Sequence, residues 1–458
     1  MNHIDRRRFL RSMAGLLGIG VSSRALLAAS NEANELSVDF KAPGQPVPAD
    51  FLGFSYDTVG LTMDQLLLPQ NSSLIALIRR LGPTGVIRIG GNSSDRPSIR
   101  KGVTVGSTHI NHLAAFLSKT GWRLIYGLNL GTGKPDQAAI EAELVAKAVG
   151  PKLVAFQIGN EPDGFRGGLR PQNYNHPDYI TEWLVFSKAI RTRVPGAPLA
   201  GPDVGFDTSW LVPFAHSVGK EVIFLTHHFY SEGQMSGPEV GIENMFASSR
   251  KLAVIIEYAA KVTADSGLRV RMAEMNSVSG GGQAGVSDTL AATLWGIDAM
   301  FTLAEAGWLG VNFHGGGGIY NPLVQTANGS FIPKPIYYAM LFFAEAGRGS
   351  IVPIQLKAIR PTLRVFAVRG TAGERRIIFV NLDLSRTERV HISAEDREAT
   401  MLRLTAPSIA SQSVTFGGAT VGPAGDWTPR SVIRLPRQNN RFTVDVPAAS
   451  AALVKIQT

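Results

Sequence analysis

The 458-residue chain is 44% hydrophobic and 18% charged, which suits a large buried core and excludes a disordered polyelectrolyte. It has no cysteine, which excludes disulfides and thiolate metal sites but leaves the compartment open. Of its net charge of +9, residues 1–29 hold a surplus of four, and the rest is dispersed. Nothing forms the basic stripe with interleaved aromatics that nucleic-acid binding requires, so no nucleic-acid partner is expected.

The first residues read as an address. Asp5-Arg6-Arg7-Arg8-Phe9-Leu10-Arg11 precedes an apolar run from Met13 to Val21 and small residues at Ala28 and Ala29. That order predicts a signal peptide over 1–29, and the paired arginines point to twin-arginine export, hence a periplasmic or secreted protein. The run is shorter than the roughly 20 residues a bilayer span needs, so no integral membrane segment is expected in the mature chain.

Residues 30–49 form an N-terminal segment whose strand-like stretch Leu36–Phe40 is expected to pair with a later β-domain. From Phe51 onward, short apolar runs alternate with helical spacing. Phe51–Asp57, Val86–Asn92, Trp122–Leu130 and Leu153–Asn160 read as four strands, and Leu199–Gly205, Val222–Tyr230, Arg269–Asn276 and Gly310–Gly316 as four more. Ile180–Val194, Glu243–Asp265, Val286–Ala306 and Pro335–Ala346 read as helices. Eight strands alternating with helices over 50–347 predict an α/β fold, a (β/α)8 TIM barrel. An open doubly wound sheet is the alternative, but no glycine fingerprint follows the first strand, and polar residues end many strands rather than one switch point. Residues 348–458 change texture: Leu363–Val368, Arg376–Val380 and Arg441–Val446 alternate with Gly, Pro, Asn and Asp, predicting a C-terminal antiparallel β-sandwich domain.

Two strand ends carry carboxylates. The fourth strand stops at Asn160-Glu161-Pro162, where Pro162 is expected to end the ladder at the catalytic rim. On the seventh, Val270, Met272 and Glu274 share one face by strict alternation, so with Met272 filling the barrel interior Glu274 points inward at its mouth. Such a pair suits glycosidic cleavage, in which one carboxyl protonates the leaving oxygen and the other attacks the anomeric carbon or activates water. Close carboxylates also titrate apart, keeping one protonated as the acid.

Other rim residues fit the same chemistry. Arg88 and Asn92 share a parity on the second strand; Arg88 is expected to orient Glu274, and Asn92 to contact sugar hydroxyls. Asp57, ending the first strand, suits a hydroxyl pair of a pyranose, and Asn160 the sugar 2-hydroxyl. His228 and Tyr230 share a face of the sixth strand, with His228 read as either a substrate contact or a structural residue. His227 and His228 face opposite ways with no ligand cluster, so neither metal nor cofactor is expected. The four glycines Gly315–Gly318 expose backbone N–H groups, a candidate anion nest.

Gly159-Asn160-Glu161-Pro162 and Glu274-Met275-Asn276-Ser277-Val278-Ser279-Gly280-Gly281-Gly282 resemble the acid/base and nucleophile motifs of the heparanase and β-glucuronidase family of retaining glycosidases, glycoside hydrolase family 79 of clan A. The likeness runs from Phe51 to about Tyr320 and includes the β-domain. It implies Glu161 as acid/base and Glu274 as nucleophile in a double displacement through a covalent glycosyl-enzyme. It also implies Tyr230 as a donor to the nucleophile, and Gly318 and Tyr320 as the grip on a uronic acid carboxylate. Five residues after the nucleophile, where family members carry a tyrosine that also touches that carboxylate, this chain has Ser279. The expected activity is an exo-acting β-glucuronidase on a carbohydrate partner containing β-glucuronic acid. The alternatives are an endo-acting heparanase-like glycosaminoglycan hydrolase, a β-glycosidase for a neutral sugar, and a non-catalytic carbohydrate-binding protein.

Overall fold

The structure, a computed structural model, describes residues 34–62, 66–233, 240–357, 360–393 and 398–457. The predicted signal peptide over 1–29 lies outside the described residues.

Eight parallel strands close into a barrel: Leu52–Asp57, Val86–Gly90, Arg123–Leu128, Leu153–Ile158, Leu199–Val204, Phe224–Glu232, Val270–Val278 and Val311–Gly315. They are rich in Val, Ile, Leu and Phe because both faces are covered. Each is followed by an outer helix: Ser72–Arg80, Ser107–Thr120, Pro135–Val149, His176–Arg193, Leu211–Val218, Ser249–Ser266, Leu290–Glu305 and Pro335–Ala346. The eighth strand pairs with the first in register, Val311 against Leu52 through Gly315 against Tyr56, which removes every free edge. The predicted helix Glu243–Asp265 is divided at Ser248 into Ile242–Ala247 and Ser249–Ser266. The hydroxyl of Ser248 donates back to the Met245 carbonyl at 2.6 Å, a bond that competes with the helical ladder.

Three expectations at strand ends fail for backbone reasons. The second strand stops at Gly90, Gly91 turns left-handed (φ 69°), and Asn92 opens the short helix Asn92–Asp95, so the parity shared with Arg88 does not reach it. The fourth strand ends at Ile158, before Pro162, because Gly159 (φ 85°) and Glu161 (φ 50°) are both left-handed. The seventh strand breaks its alternation. On one side His227 faces Met272 and His228 faces Glu274; on the other Val311 faces Met272 and Phe313 faces Met275. Ala273 is thus an extra residue, a β-bulge. Val270 and Met272 point outward into the helix layer, Arg271 points into the barrel base at Asn312 (2.7 Å), and Glu274 turns inward only because of the bulge.

Beyond the barrel two sheets stack face to face. One is four-stranded, in the order Ile354–Lys357, Asn34–Val38, Glu388–Ser393, Arg441–Val446. The other is larger and built around Glu398–Thr405, Ser450–Gln457, Arg375–Asn381 and Leu363–Arg369. Between them lie Leu36, Phe379, Val390, Phe442, Val444 and Val454. The larger sheet rests on the barrel through Phe366 stacked on Phe301 (5.2 Å) and Phe416 against Phe342 (5.1 Å), with Arg364 paired to buried Asp298 at 2.7 Å. No helix among the described residues is long and apolar enough to cross a membrane.

Asn34–Val38 is an interior strand of the smaller sheet, antiparallel to Ile354–Lys357 and parallel to Glu388–Ser393, with Leu36 buried at its centre. Leu36→Ala is expected to destabilise the fold by about 2–5 kcal/mol, read as a lower urea midpoint; an unchanged midpoint would mean that this strand contributes nothing to the sandwich.

Candidate active site

The centre of the barrel is one fully buried guanidinium. Arg88 points inward from the second strand, and Gly90 lets it fold back, since a Cβ there would lie 2.8 Å from Cζ of Arg88. All five of its N–H groups are used. Nε donates to Gln157 Oε1 (3.1 Å), Nη1 to Ser55 Oγ (3.0 Å) and Glu274 Oε2 (2.5 Å), and Nη2 to Asn160 Oδ1 (2.7 Å) and Asp203 Oδ2 (2.6 Å). Burial disfavours the charge, but Asp203 and Glu274 outweigh it and raise the pKa above its ordinary value.

Glu274 is held from four sides. Besides Arg88, the Tyr230 hydroxyl donates to Oε1 at 2.6 Å, while Ser55 Oγ (3.5 Å) and His314 Nδ1 (3.4 Å) approach Oε2. Burial would raise its pKa; the charges of His314, His228 and Arg88, with the Tyr230 hydrogen bond, reverse this and hold the carboxyl well below the usual range. It is an ionised group with a fixed rotamer.

Glu161 sits opposite, its left-handed backbone tied to the fifth strand by its N–H to the Asp203 carbonyl at 2.9 Å. His228 Nδ1 lies 2.9 Å from Glu161 Oε1, and its Nε2 forms an ion pair with Asp203 Oδ1 at 2.9 Å. Burial would lower the His228 pKa, but Asp203 and Glu274 dominate and push it up to about 10, so it is an imidazolium at neutral pH. Glu161, His228 and Glu274 each bring a polar atom within 4.8 Å of the others. A protonated imidazole is no metal ligand, and Arg88 and Tyr230 already engage Glu274, so the trio does not suit a cation.

Above this floor opens a cavity of about 680 Å³ lined by Glu161, Glu274, Asp57, Asn92, Tyr230 and Tyr320, with His314, Ser279, Phe206 and Glu232. Asp57 Oδ1 accepts from Ser93 N–H and Oγ, both at 3.0 Å. Burial would raise its pKa, but the hydrogen bond and charge of His314 and the Ser93 N–H keep it lowered, so Asp57 presents an ionised acceptor at the rim. His314, between Asp57 and Glu274, has its pKa raised because these carboxylates overcome the cost of burial.

Three expected residues do not reach the wall. His228 is buried behind Glu161, and Asn160 lies beneath the floor with Oδ1 on Arg88. Gly318 is turned onto Gly281, and Gly317 faces the cavity instead. Within the anticipated nest the Gly316 N–H is taken by Asn321 Oδ1, and just beyond it the Ile319 and Tyr320 N–H groups both donate to the Gly281 carbonyl.

Sequence reading passed over four residues. Asp203, 1% exposed and left-handed (φ 63°), grips Arg88, Gln157 and His228 together. Asp95 accepts from the N–H groups of Leu130, Gly131 and Asn160; burial raises its pKa to about 6. Ser55 and His314 complete the bed of Glu274. Asp203 had a signal, an acid at the end of an apolar strand like Glu161, whereas Ser55 and Asp95 had none.

Residues 365–453 match the C-terminal β domain of glycosyl hydrolase family 79. Over 360 residues the chain is 25% identical to a β-glucuronidase of Neurospora crassa, covering 65% of this chain and 63% of that protein. Over 276 residues it is 25% identical to the heparanase of Bos taurus, covering 56% of this chain and 48% of that one. The matched stretches thus span less than two thirds of these relatives. The fold is similar to that of a 4-O-α-L-rhamnosyl-β-D-glucuronidase from Fusarium oxysporum 12S, with a TM-score of 0.75 at 18% identity, covering 92% of this chain and 100% of that one. A closed barrel with its carboxylate-bearing cavity thus stands beside a C-terminal β domain of the glycosyl hydrolase family 79 type over 365–453, in a chain similar to β-glucuronidases and heparanases.

Proposed function

We propose that the chain is a retaining glycoside hydrolase that cleaves β-linked glucuronic acid from the end of a carbohydrate. The observation that carries this reading is the approach of Glu161 and Glu274 to within 4.8 Å at the floor of one cavity. Retaining pairs stand about 5–5.5 Å apart, whereas inverting pairs leave about 6.5–9.5 Å for a water. Glu274 is the nucleophile: ionised, immobilised by Arg88 and Tyr230, and facing the cavity. Its oxygen forms a bond to the anomeric carbon as the bond to the leaving oxygen breaks, and Glu161 transfers its proton to that oxygen. Glu161 then takes a proton from water, which attacks the anomeric carbon and releases Glu274. His228 holds Oε1 of Glu161, leaving Oε2 for proton transfer. Asp57 and Asn92 take sugar hydroxyls at the rim.

The names of the relatives and the glycine loop favour a uronic acid. Gly317 and the Tyr320 phenol are the donors for its carboxylate. A second reading, a β-glycosidase for a neutral sugar, is favoured by the cavity wall, which among the described residues holds Asp57, Glu161, Glu232 and Glu274 but no lysine or arginine.

Glu274→Ala is expected to abolish turnover, and azide to restore it with an α-glycosyl azide as product. Glu161→Ala should lose about 10²–10⁴-fold on substrates with poor leaving groups, keep those with good ones, and give a β-azide. Interchanged azide anomers, read by proton NMR, would reverse the two roles.

His228 bears a positive charge that helps keep Glu274 ionised. Removing that charge disfavours the carboxylate and raises the Glu274 pKa, so His228→Gln should move the acidic limb of kcat/KM to higher pH. A limb that stays in place would separate His228 from the nucleophile.

Matching aryl β-glucuronide and β-glucoside decide between the two sugars. The glucuronide should have the larger kcat/KM, and Tyr320→Phe should raise KM for the glucuronide far more than for the glucoside. Equal kcat/KM values in the unmodified enzyme would favour the neutral-sugar reading.

A further inference from the structure

Phe206 is 74% exposed, the most exposed of the large hydrophobic side chains described, yet it lines the cavity. Isolated apolar side chains on a surface need no explanation. This one is fixed: its N–H donates to Asp163 Oδ2 at 2.6 Å, and the N–H groups of Gly205 (3.2 Å) and Asp207 (2.6 Å) bind the same carboxylate, itself 2% exposed. The ring lies over Gly164, where a Cβ would come within 2.8 Å of a ring carbon. The chain just before it runs against the acid/base, since a Cβ on Gly205 would lie 2.9 Å from Cδ of Glu161. A rigid loop therefore holds an aromatic ring in water beside Glu161.

The cavity is also two-sided. Its polar groups Asp57, Tyr230 and His314, on the first, sixth and eighth strands, and Asn92, in the short helix after the second, lie around Glu274. Glu161 and Phe206 come from the ends of the fourth and fifth, across the mouth. The group beyond the glycosidic oxygen must lie on the side of the residue that protonates that oxygen. The sugar being transferred occupies the polar half, and the departing group meets Phe206.

We propose that Phe206 is the platform of a leaving-group subsite, receiving the apolar face of a pyranose or an aromatic aglycone. The proposal rests on the hydrolytic reading above and adds a specificity-determining residue to it. Contact with a ring removes apolar surface of Phe206 from water, and the pinned backbone means little ordering cost on binding.

The test compares β-glucuronyl fluoride, whose leaving group is too small to reach the platform, with a disaccharide of glucuronic acid β-linked to a hexose. The matching glucosyl pair is run alongside. Phe206→Ala should lower the ratio of kcat/KM for disaccharide over fluoride about tenfold, equivalent to about 1.4 kcal/mol, chiefly through KM. Phe206→Trp should restore the ratio. An unchanged ratio in Phe206→Ala, or an equal loss on both substrates, overturns the platform while hydrolysis of the fluoride leaves the hydrolytic reading standing. If the unmodified enzyme hydrolyses no member of either pair, the hydrolytic reading fails and the platform falls with it.

Discussion

A guanidinium at 0% exposure in the middle of a barrel is the constraint on which the rest of the site depends. Withdrawing that charge from water costs several kcal/mol, and unpaired it would be strongly destabilising. Arg88 is therefore surrounded by five acceptors from four other strands and the turn after the fourth: Ser55, Gln157, Asn160, Asp203 and Glu274. Arginine suits this place because its rigid planar fork can address several acceptors at once and does not shed its proton. The same bonds that satisfy the cation fix Glu274 and the turn leading into Glu161. Stability of the barrel centre and geometry of the site are one requirement, so a change at Arg88 cannot be read as purely structural or purely functional.

Around this hub the charges are ordered to make the two glutamates unlike. Glu274 faces Arg88, His228 and His314, and its ionised form is stabilised well beyond that of a free carboxylate. The Glu161 carboxyl is held by His228 and is more open to the cavity than that of Glu274, at 16% against 8% side-chain exposure. His228 in turn is charged because Asp203 lies behind it, which makes Asp203 a positioning residue for both halves of the site. A buried acid thus sets the electrostatics of the groups that line the cavity.

The barrel, the β-domain and the two glutamates were legible because each leaves a mark in sequence: apolar runs at regular spacing, a change of texture near residue 350, and acids at strand ends. What was not legible depended on the backbone leaving its ideal path. Strict alternation put Met272 inside the barrel and reached Glu274 by that route; Ala273 bulges, Met272 is outside, and Glu274 is inward for another reason. Asn92 lost its strand parity to the left-handed Gly91, and Gly318 turned away because the loop donates two N–H groups to Gly281. Asp203 was hidden differently. Its importance lies in contacts with Arg88, Gln157 and His228, which are remote in sequence, and nothing within its own strand announces them.

Two of the non-glycine left-handed residues stand side by side at the candidate site. Glu161 (φ 50°) and Asp203 (φ 63°) are non-glycine residues in the left-handed region, adjacent across the fourth and fifth strands, and the N–H of one binds the carbonyl of the other. Such conformations cost about 1–3 kcal/mol each and persist only where surrounding contacts over-determine them. Here Asp95 binds the Asn160 N–H, Asp163 binds three successive N–H groups after Gly205's turn begins, and Arg88 holds both Asn160 and Asp203. Each buried acid anchors backbone rather than substrate. These anchors hold one corner of the mouth, where the Glu161 carboxyl and the Phe206 ring face the same space.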